Sequence, residues 1–355
     1  MLGPATRSRF RHEIDAARTR LRTALLASVV AATTVTAVAS AAEPAVPTVV
    51  PKGTKLVVAD QRQVLQELFA ASGQQKHLSS DVKFADFRGG PAILEAFRGG
   101  ALDLATVGDT PPIQAHAAGV KLPIVAARLS TEPPYKVALR PGLKITKLAD
   151  LRGKRFAYAE GTATQTFILG LLKKAGLSKK DVTLVPVRTA DFSDALRSGG
   201  VDVAMLNEPP FAHYIRNNQA QGASALAASE TEGLPPYLNY LYASEAALKD
   251  PAKAAAIREF IVLWIQAVKW SQANRDAWVD AYFVKSQKLS AETGRLIVES
   301  EGRFSFPSLR DLVARHQRAI DLIHQAGEIP KRLDAKEEFD FRFDEVIAAA
   351  NRSAR

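Results

Sequence analysis

The sequence predicts an α/β protein of two similarly built lobes with a helical C-terminal region. Three observations carry this. Short apolar runs alternate with helix-periodic segments between residues 55 and 217. Two stretches in that region repeat each other at an offset of 99 residues. From Ala243 onward the pattern is almost wholly helical. A length of 355 residues suits about two domains, and 47% hydrophobic content excludes general disorder.

The N-terminus reads as an export address. Arg7, Arg9, Arg11, Arg18, Arg20 and Arg22 stand against Glu13 and Asp15. An uncharged stretch follows from Thr23 to Ala42 and ends Ala37-Val38-Ala39-Ser40-Ala41-Ala42. A basic start, an apolar run and an A-x-A ending make residues 1–42 a cleavable signal peptide. An uncleaved anchor is the alternative, but a run rich in Ala and Thr and poor in Leu inserts weakly. No Arg-Arg pair supports the twin-arginine route. Residues 43–53, with Pro44, Pro47 and Pro51, read as an extended linker.

Without residues 1–42 the net charge falls from +10 to +6. That favours anionic ligands without requiring nucleic acid, and no zinc-finger spacing or RNP-like aromatic run points to nucleic acid. The chain has no cysteine. Disulfides, thiolate catalysis, Cys-ligated zinc, Fe–S clusters and a lipid-modified N-terminal cysteine are therefore excluded.

The elements follow in order. Lys55–Ala59 is a short apolar strand, and Gln61–Ala71 carries Val64, Leu65, Leu68 and Phe69 at helical spacing. Val82–Phe87 alternates as a strand. Gly89-Gly90-Pro91 opens a helix, since proline suits the first helical position. Leu102–Val107 is the next strand, and Pro111-Pro112 starts another helix. Leu122–Arg128 and Lys136–Leu139 are further strands. After Leu148–Gly153 the alternation resumes: strand Arg155–Ala159, helix Thr162–Ala175, strand Val182–Val187, helix Asp191–Ser198, strand Val201–Leu206, helix Pro209–Asn217. Such alternation predicts mostly parallel sheets with helices on both faces. A long helix is expected over Pro251–Asn274.

The repeat links AFRGGALDLATVGDTP, residues 96–111, with ALRSGGVDVAMLNEPP, residues 195–210. The two align without a gap and share Arg98/Arg197, Gly100/Gly199 and Asp103/Asp202 among their identities. Each runs from a helix end through a glycine turn and a buried strand to a Pro-led helix start. One copy falls in each half, which argues for two lobes built alike.

Ligands of open α/β sheets sit beyond the carboxyl ends of the strands. Four such ends stand out. Gln61 and Arg62 follow the first strand; Gly108, Asp109 and Thr110 follow the third. Gly161, Thr162, Ala163 and Thr164 follow Arg155–Ala159, and Glu208 follows Val201–Leu206. Each leads into a helix, whose unpaired N–H groups and positive end favour anions. The threonines add hydroxyls, although each is also an ordinary N-cap residue. Asp109 and Glu208, at matching places in the repeat, could serve as an acid–base pair or hold a cationic group, but helix starts favour acidic residues in any case. Asn239 joins the candidate ligand-binding residues. Six scattered histidines make no metal-binding spacing, and no P-loop, G-x-G-x-x-G or G-x-S-x-G occurs.

The segments LVVADQRQVLQELFA, FRGGPAILEAFRGGALDLATVGDTPPIQAHAAG, DLRGKRFAYAEGTATQTFILGLLKKAGL and DVTLVPV resemble the substrate-binding proteins of ABC importers, most closely the branch for aliphatic sulfonates, taurine and nitrate. Gln61-Arg62 is similar to that family's Gln-Lys, Gly108-Asp109-Thr110-Pro111-Pro112 to its Gly-Asp-Ala-Pro-Pro turn, and Gly161-Thr162 to its Gly-Ser helix start. Asn207-Glu208-Pro209 departs from its Trp-Asp-Pro. The resemblance implies a two-lobe periplasmic-binding-protein (type II) fold. Residues 54–138 with 237–335 would form the first lobe and 139–236 the second, with a partly helical tail at 336–355. It further implies a monomer in the periplasm that binds a small organic anion, needs no cofactor or metal, and delivers to a permease and its ATPase. An enzyme on the same scaffold, resembling thiamine-pyrimidine-precursor proteins, is the alternative.

Overall fold

Strands β1 (Lys55–Asp60), β2 (Asp81–Asp86), β3 (Leu104–Val107) and β4 (Ile124–Ser130) form where the apolar runs lie. So do β5 (Lys136–Leu139), β6 (Arg155–Tyr158), β7 (Thr183–Pro186) and β8 (Val203–Leu206). The computed structural model describes residues 45–133, 135–232, 234 and 238–353. The expected signal peptide lies outside the described residues.

The strands make two sheets. With β9 (Ser224–Ala225), β10 (Leu238–Ala243) and β11 (Phe304–Ser305), their orders are β11-β4-β10-β3-β1-β2 and β7-β6-β8-β5-β9. β1 and β6 thus lie in different sheets. The expectation of mostly parallel sheets needs a correction. β1 pairs in parallel with β2 and β3, and β6 with β7 and β8, but β10 runs antiparallel to β3 and β4, and β5 antiparallel to β8 and β9. The core order repeats: β2-β1-β3-β10 in one sheet, β7-β6-β8-β5 in the other. β10 was not expected as a strand. It is buried along almost its whole length, and it re-enters the first sheet after the chain has built the second.

The repeated sequence has a repeated physical job. Asp103 Oδ2 accepts the Val57 N–H of the neighbouring β1 at 2.8 Å, and Lys253 Nζ lies 2.7 Å from its other oxygen. Asp202 Oδ2 accepts the Arg155 N–H of β6 at 2.9 Å, and its Oδ1 is 2.8 Å from Arg140 Nε. Each aspartate ties the strand that leaves the glycine turn to the start of the parallel strand beside it. Gly100 and Gly199 have φ of 68° and 72°, the left-handed backbone that a side chain disfavours.

The helices used below are α1 (Val64–Ala71), α2 (Gly90–Arg98), α3 (Thr110–Ala117), α4 (Ala163–Lys174), α5 (Phe192–Arg197), α6 (Pro210–Asn218), α7 (Pro251–Ala273), α8 (Ala291–Ser300), α9 (Leu309–Gln325) and α10 (Asp344–Ser353). In the second sheet one face packs on Ile168, Leu171 and Leu172 of α4, and the other on Phe192, Leu196 and Tyr214 of α5 and α6. In the first, α7 buries Phe260 and Trp264, with Phe260 stacked on Phe69 at 4.7 Å. The last residues, expected as a tail, pack closely. Val346, Ile347 and Ala350 of α10 join the core of α7, and Phe339 bridges to Ile124 of β4.

Candidate functional site

A cavity of about 670 Å3 opens where strand ends of the two sheets face each other. Gln61, Arg62, Gly108, Thr162, Ala163, Thr164, Glu208 and Asn239 all line it, from β1, β3, α4, β8 and β10.

Three other expected residues do not, and the physical reason is one close contact. The start of α3 packs directly on the start of α4. Thr110 is wholly buried, with its hydroxyl 2.6 Å from Thr166 Oγ1, so it offers no donor to the cavity. Gln114 Nε2 donates to Gln165 Oε1 at 3.2 Å across the same seam. Gly161 donates its N–H to Gln165 Oε1 at 2.8 Å. A Cβ there would lie 2.8 Å from Gln114 Oε1, and its φ is 76°; the glycine serves the turn. Asp109 lines a second cavity with Tyr240 and Arg315. The repeat therefore aligns Asp109 with Glu208, but the two face different cavities and make no acid–base pair.

Arg62 is presented by a contorted turn. Arg62 and Gln63 have φ of 57° and 58°, which delays α1 to Val64 instead of the expected Gln61. The turn holds because buried Asp60 accepts the N–H groups of Gln61, Leu65 and Gln66 at 2.7, 3.0 and 2.9 Å. Gln287 Nε2 donates to the Arg62 carbonyl at 3.2 Å, and Gln61 Nε2 to the Thr106 carbonyl at 3.3 Å.

The α4 threonines are already engaged. Thr162 Oγ1 donates to the Ala159 carbonyl at 2.7 Å, which leaves it to accept from Thr164 Oγ1 at 2.6 Å. Both hydroxyl protons are spent inside the turn. What α4 presents to the cavity is the N–H groups of Ala163 and Thr164, which come too early in the helix to reach an intrahelical carbonyl.

Sequence reading missed several groups. Arg88, Arg128 and Lys136 line the cavity with Arg62; Asp86, Glu132 and Glu301 line it with Glu208. Arg128 lies over the Phe304 ring at 4.3 Å, and its buried Nε has no hydrogen-bond partner among the described residues. An arginine inside the apolar run Ile124–Ser130 was the available signal. Glu301 sits after α8, where its carbonyl accepts from Ser130 Oγ at 2.6 Å. Burial pushes its carboxyl up to about 7, against the pull of Arg128, and burial also raises Glu208. Four cationic and four carboxyl side chains thus line the cavity, and burial raises two of the carboxyls. A π-helix over Val279–Ser286 brings Tyr282 and Phe283 to the same wall.

Among the described residues, no cluster of three or more His, Asp or Glu could hold a metal ion, and no helix is long and apolar enough to cross a membrane.

Known proteins share this architecture. The alkanesulfonate-binding protein SsuA from Xanthomonas axonopodis pv. citri, solved bound to MOPS, superposes with a TM-score of 0.71. The match is 23% identical and covers 82% of this chain and 99% of that one. In sequence, the chain is 25% identical to the "Putative aliphatic sulfonates-binding protein" of Escherichia coli (strain K12), over 74% of this chain and 81% of that protein. It is 29% identical to the "Putative thiamine biosynthesis protein" of Haemophilus influenzae, over 66% of this chain and 74% of the other. The profile of the family described as NMT1/THI5 like matches residues 81–276, a span that includes both repeated aspartate turns, the α3–α4 seam and the crossing strands β5 and β10. On fold, repeat and sequence together, the chain belongs to the NMT1/THI5-like family.

Proposed function

We propose that this protein is the periplasmic solute-binding component of an ABC importer and takes a small organic anion of the aliphatic sulfonate class into the cleft by closure of two lobes. The carrying observation is the cavity between the sheets, with Arg62, Arg88, Arg128 and Lys136 on its walls and the N-terminus of α4 open to it. The similarity to aliphatic sulfonates-binding proteins supports the ligand class. A micromolar dissociation constant needs about −8 kcal/mol, and a charge-assisted hydrogen bond contributes ~1.5–3 kcal/mol. Several donors from both sheets must therefore converge, as closure of the lobes allows. We take the lobes as β1–β4 with β10, β11 and α10, and β5–β9; the boundary expected at 138 moves ahead of Lys136, because β5 pairs with β8 in the second sheet, and the first lobe extends past 335, because α10 packs on α7. Export by a cleaved signal peptide, and delivery to a permease and its ATPase, complete the reading.

Similarity to a thiamine biosynthesis protein favours a second reading, in which the cleft takes a pyrimidine precursor. A thermal-shift screen decides between them, because a specific ligand raises stability by mass action. Alkanesulfonates, taurine, nitrate, carboxylates and aminopyrimidines are the test set. Sulfonates should raise the Tm, and calorimetry should show at least tenfold weaker binding for Arg62→Ala and Arg128→Ala. A shift by aminopyrimidines alone replaces the sulfonate reading; unchanged affinity in both variants moves the site elsewhere.

A further inference from the structure

The second cavity, about 630 Å3, has no role in the function proposed above. Its size is that of sites for small organic ligands. The α3–α4 seam borders it on one side and the cleft on the other: Ala163 and Tyr135 line both. One stretch of its wall is apolar. Phe167 comes from α4, Leu322 from α9, and Leu234 and Leu238 from the chain that leads into β10.

Charge around this chamber is one-sided. Arg315 and Arg318 of α9 and Lys173 and Lys174 of α4 line it, against Glu232 and Asp109. Lys174 is occupied, donating to the carbonyls of Glu230 and Glu232 at 2.7 and 2.5 Å. Arg315 is half-buried and has no hydrogen bond or ion pair among the described residues. The comparably buried Arg342 pairs with Asp340 at 2.6 Å, and Arg140 with Asp202 at 2.8 Å. A desolvated guanidinium without a partner is costly. Asp109, which lines the same cavity, attracts the guanidinium through space but makes no hydrogen bond or ion pair with it among the described residues.

We infer that the second cavity binds an amphipathic organic monoanion, its acidic head on Arg315 and its hydrocarbon chain along Phe167, Leu234, Leu238 and Leu322. Gly170 keeps that chain's path open. A Cβ there would only touch Leu234 and Leu322, at 3.8 and 3.9 Å, so a longer side chain would grow into the space between them. Because α4 packs on the second sheet and α9 lies with the first, an occupant touches both halves of the molecule.

The probes are n-octanoate and n-octylammonium, titrated calorimetrically into the purified full-length protein. Octanoate should bind and octylammonium should not. Arg315→Gln should weaken octanoate ten- to a hundredfold, and Arg315→Lys should restore most of the loss. Gly170→Leu, which places a better helix former in mid-helix, should fold normally and abolish binding. Arg62→Ala, in the cleft, should leave octanoate affinity unchanged. No octanoate binding, equal affinity for the two probes, or unchanged affinity in Arg315→Gln overturns the inference. So does a loss in Arg62→Ala, which would place the probe in the cleft.

Discussion

Gly108→Ala is the sharpest probe of how the two halves meet. A Cβ on Gly108 would lie 2.7 Å from Ala163 Cβ. Carbon atoms in contact settle at ~3.5–4.0 Å, so the starts of α3 and α4 would have to part by about 1 Å. Neither atom belongs to a flexible side-chain end that could swing aside. The seam is also closed by Thr110–Thr166 at 2.6 Å and Gln114–Gln165 at 3.2 Å. Overpacking of this kind costs ~1–3 kcal/mol, and stretching the buried threonine pair removes a hydrogen bond of about 1 kcal/mol. The expected loss is about 2–4 kcal/mol in urea unfolding followed by tryptophan fluorescence. Ligand affinity in the cleft should fall with it, because Gly108 and Ala163 both line that cavity. Ala163→Gly removes the opposing methyl and should rescue Gly108→Ala, with a coupling of about 1–3 kcal/mol in the double-mutant cycle. If Gly108→Ala unfolds at the wild-type midpoint, or if the two changes are additive, the seam is not tight and this reasoning fails.

Three further outcomes are expected. Asp202→Asn should lower stability at neutral pH by about 2–3 kcal/mol, since the carboxylate accepts from Arg155 N and Nη2 at 2.9 Å and from Arg140 Nε at 2.8 Å. Arg155 holds Asp202 far below the usual carboxylate range, so this stability is present above about pH 4 and lost as pH falls; urea titrations down to about pH 2 should show a flatter acid limb in the variant. Glu301 has its carboxyl raised by burial to about 7, so it ionises as pH rises through that value and adds negative charge to the cleft. Sulfonate affinity measured by calorimetry should fall between about pH 6 and pH 8 in the wild type and stay level in Glu301→Gln. Glu338 accepts from His316 Nε2 at 2.9 Å, its other oxygen lies 3.2 Å from His116 Nδ1, and this adjacent carboxylate raises His116 above the ordinary value. The stability so gained is full below about pH 6.5 and lost as pH rises through the raised value; Glu338→Gln should cost ~1.5–3 kcal/mol at pH 6 and flatten the change between pH 6 and 8 in thermal melts.

The sequence alone carried the alternation of strand and helix, the glycine turns and the repeated aspartates, because each is a local preference. A glycine turn needs a left-handed residue wherever it folds, and an apolar run of four residues seeks a core from either side. The same locality placed Arg62, Thr162 and Glu208 at the cleft, since strand ends that lead into helices are marked by their neighbours in the chain. Tertiary structure alone decided the rest. β10 is a strand because β3 and β4 flank it from residues more than a hundred positions away, and no local pattern sets it apart from the helical run that follows. Thr110 has the sequence of a free helix start, yet Thr166 takes its hydroxyl. Arg128 and Glu301, distant in the chain, share one cavity wall only after β4 and the end of α8 meet. Charge, burial and hydrogen-bond partners come from groups brought together by folding, so the chemistry of both cavities is a property of packing, while only the cleft's location was already marked along the chain.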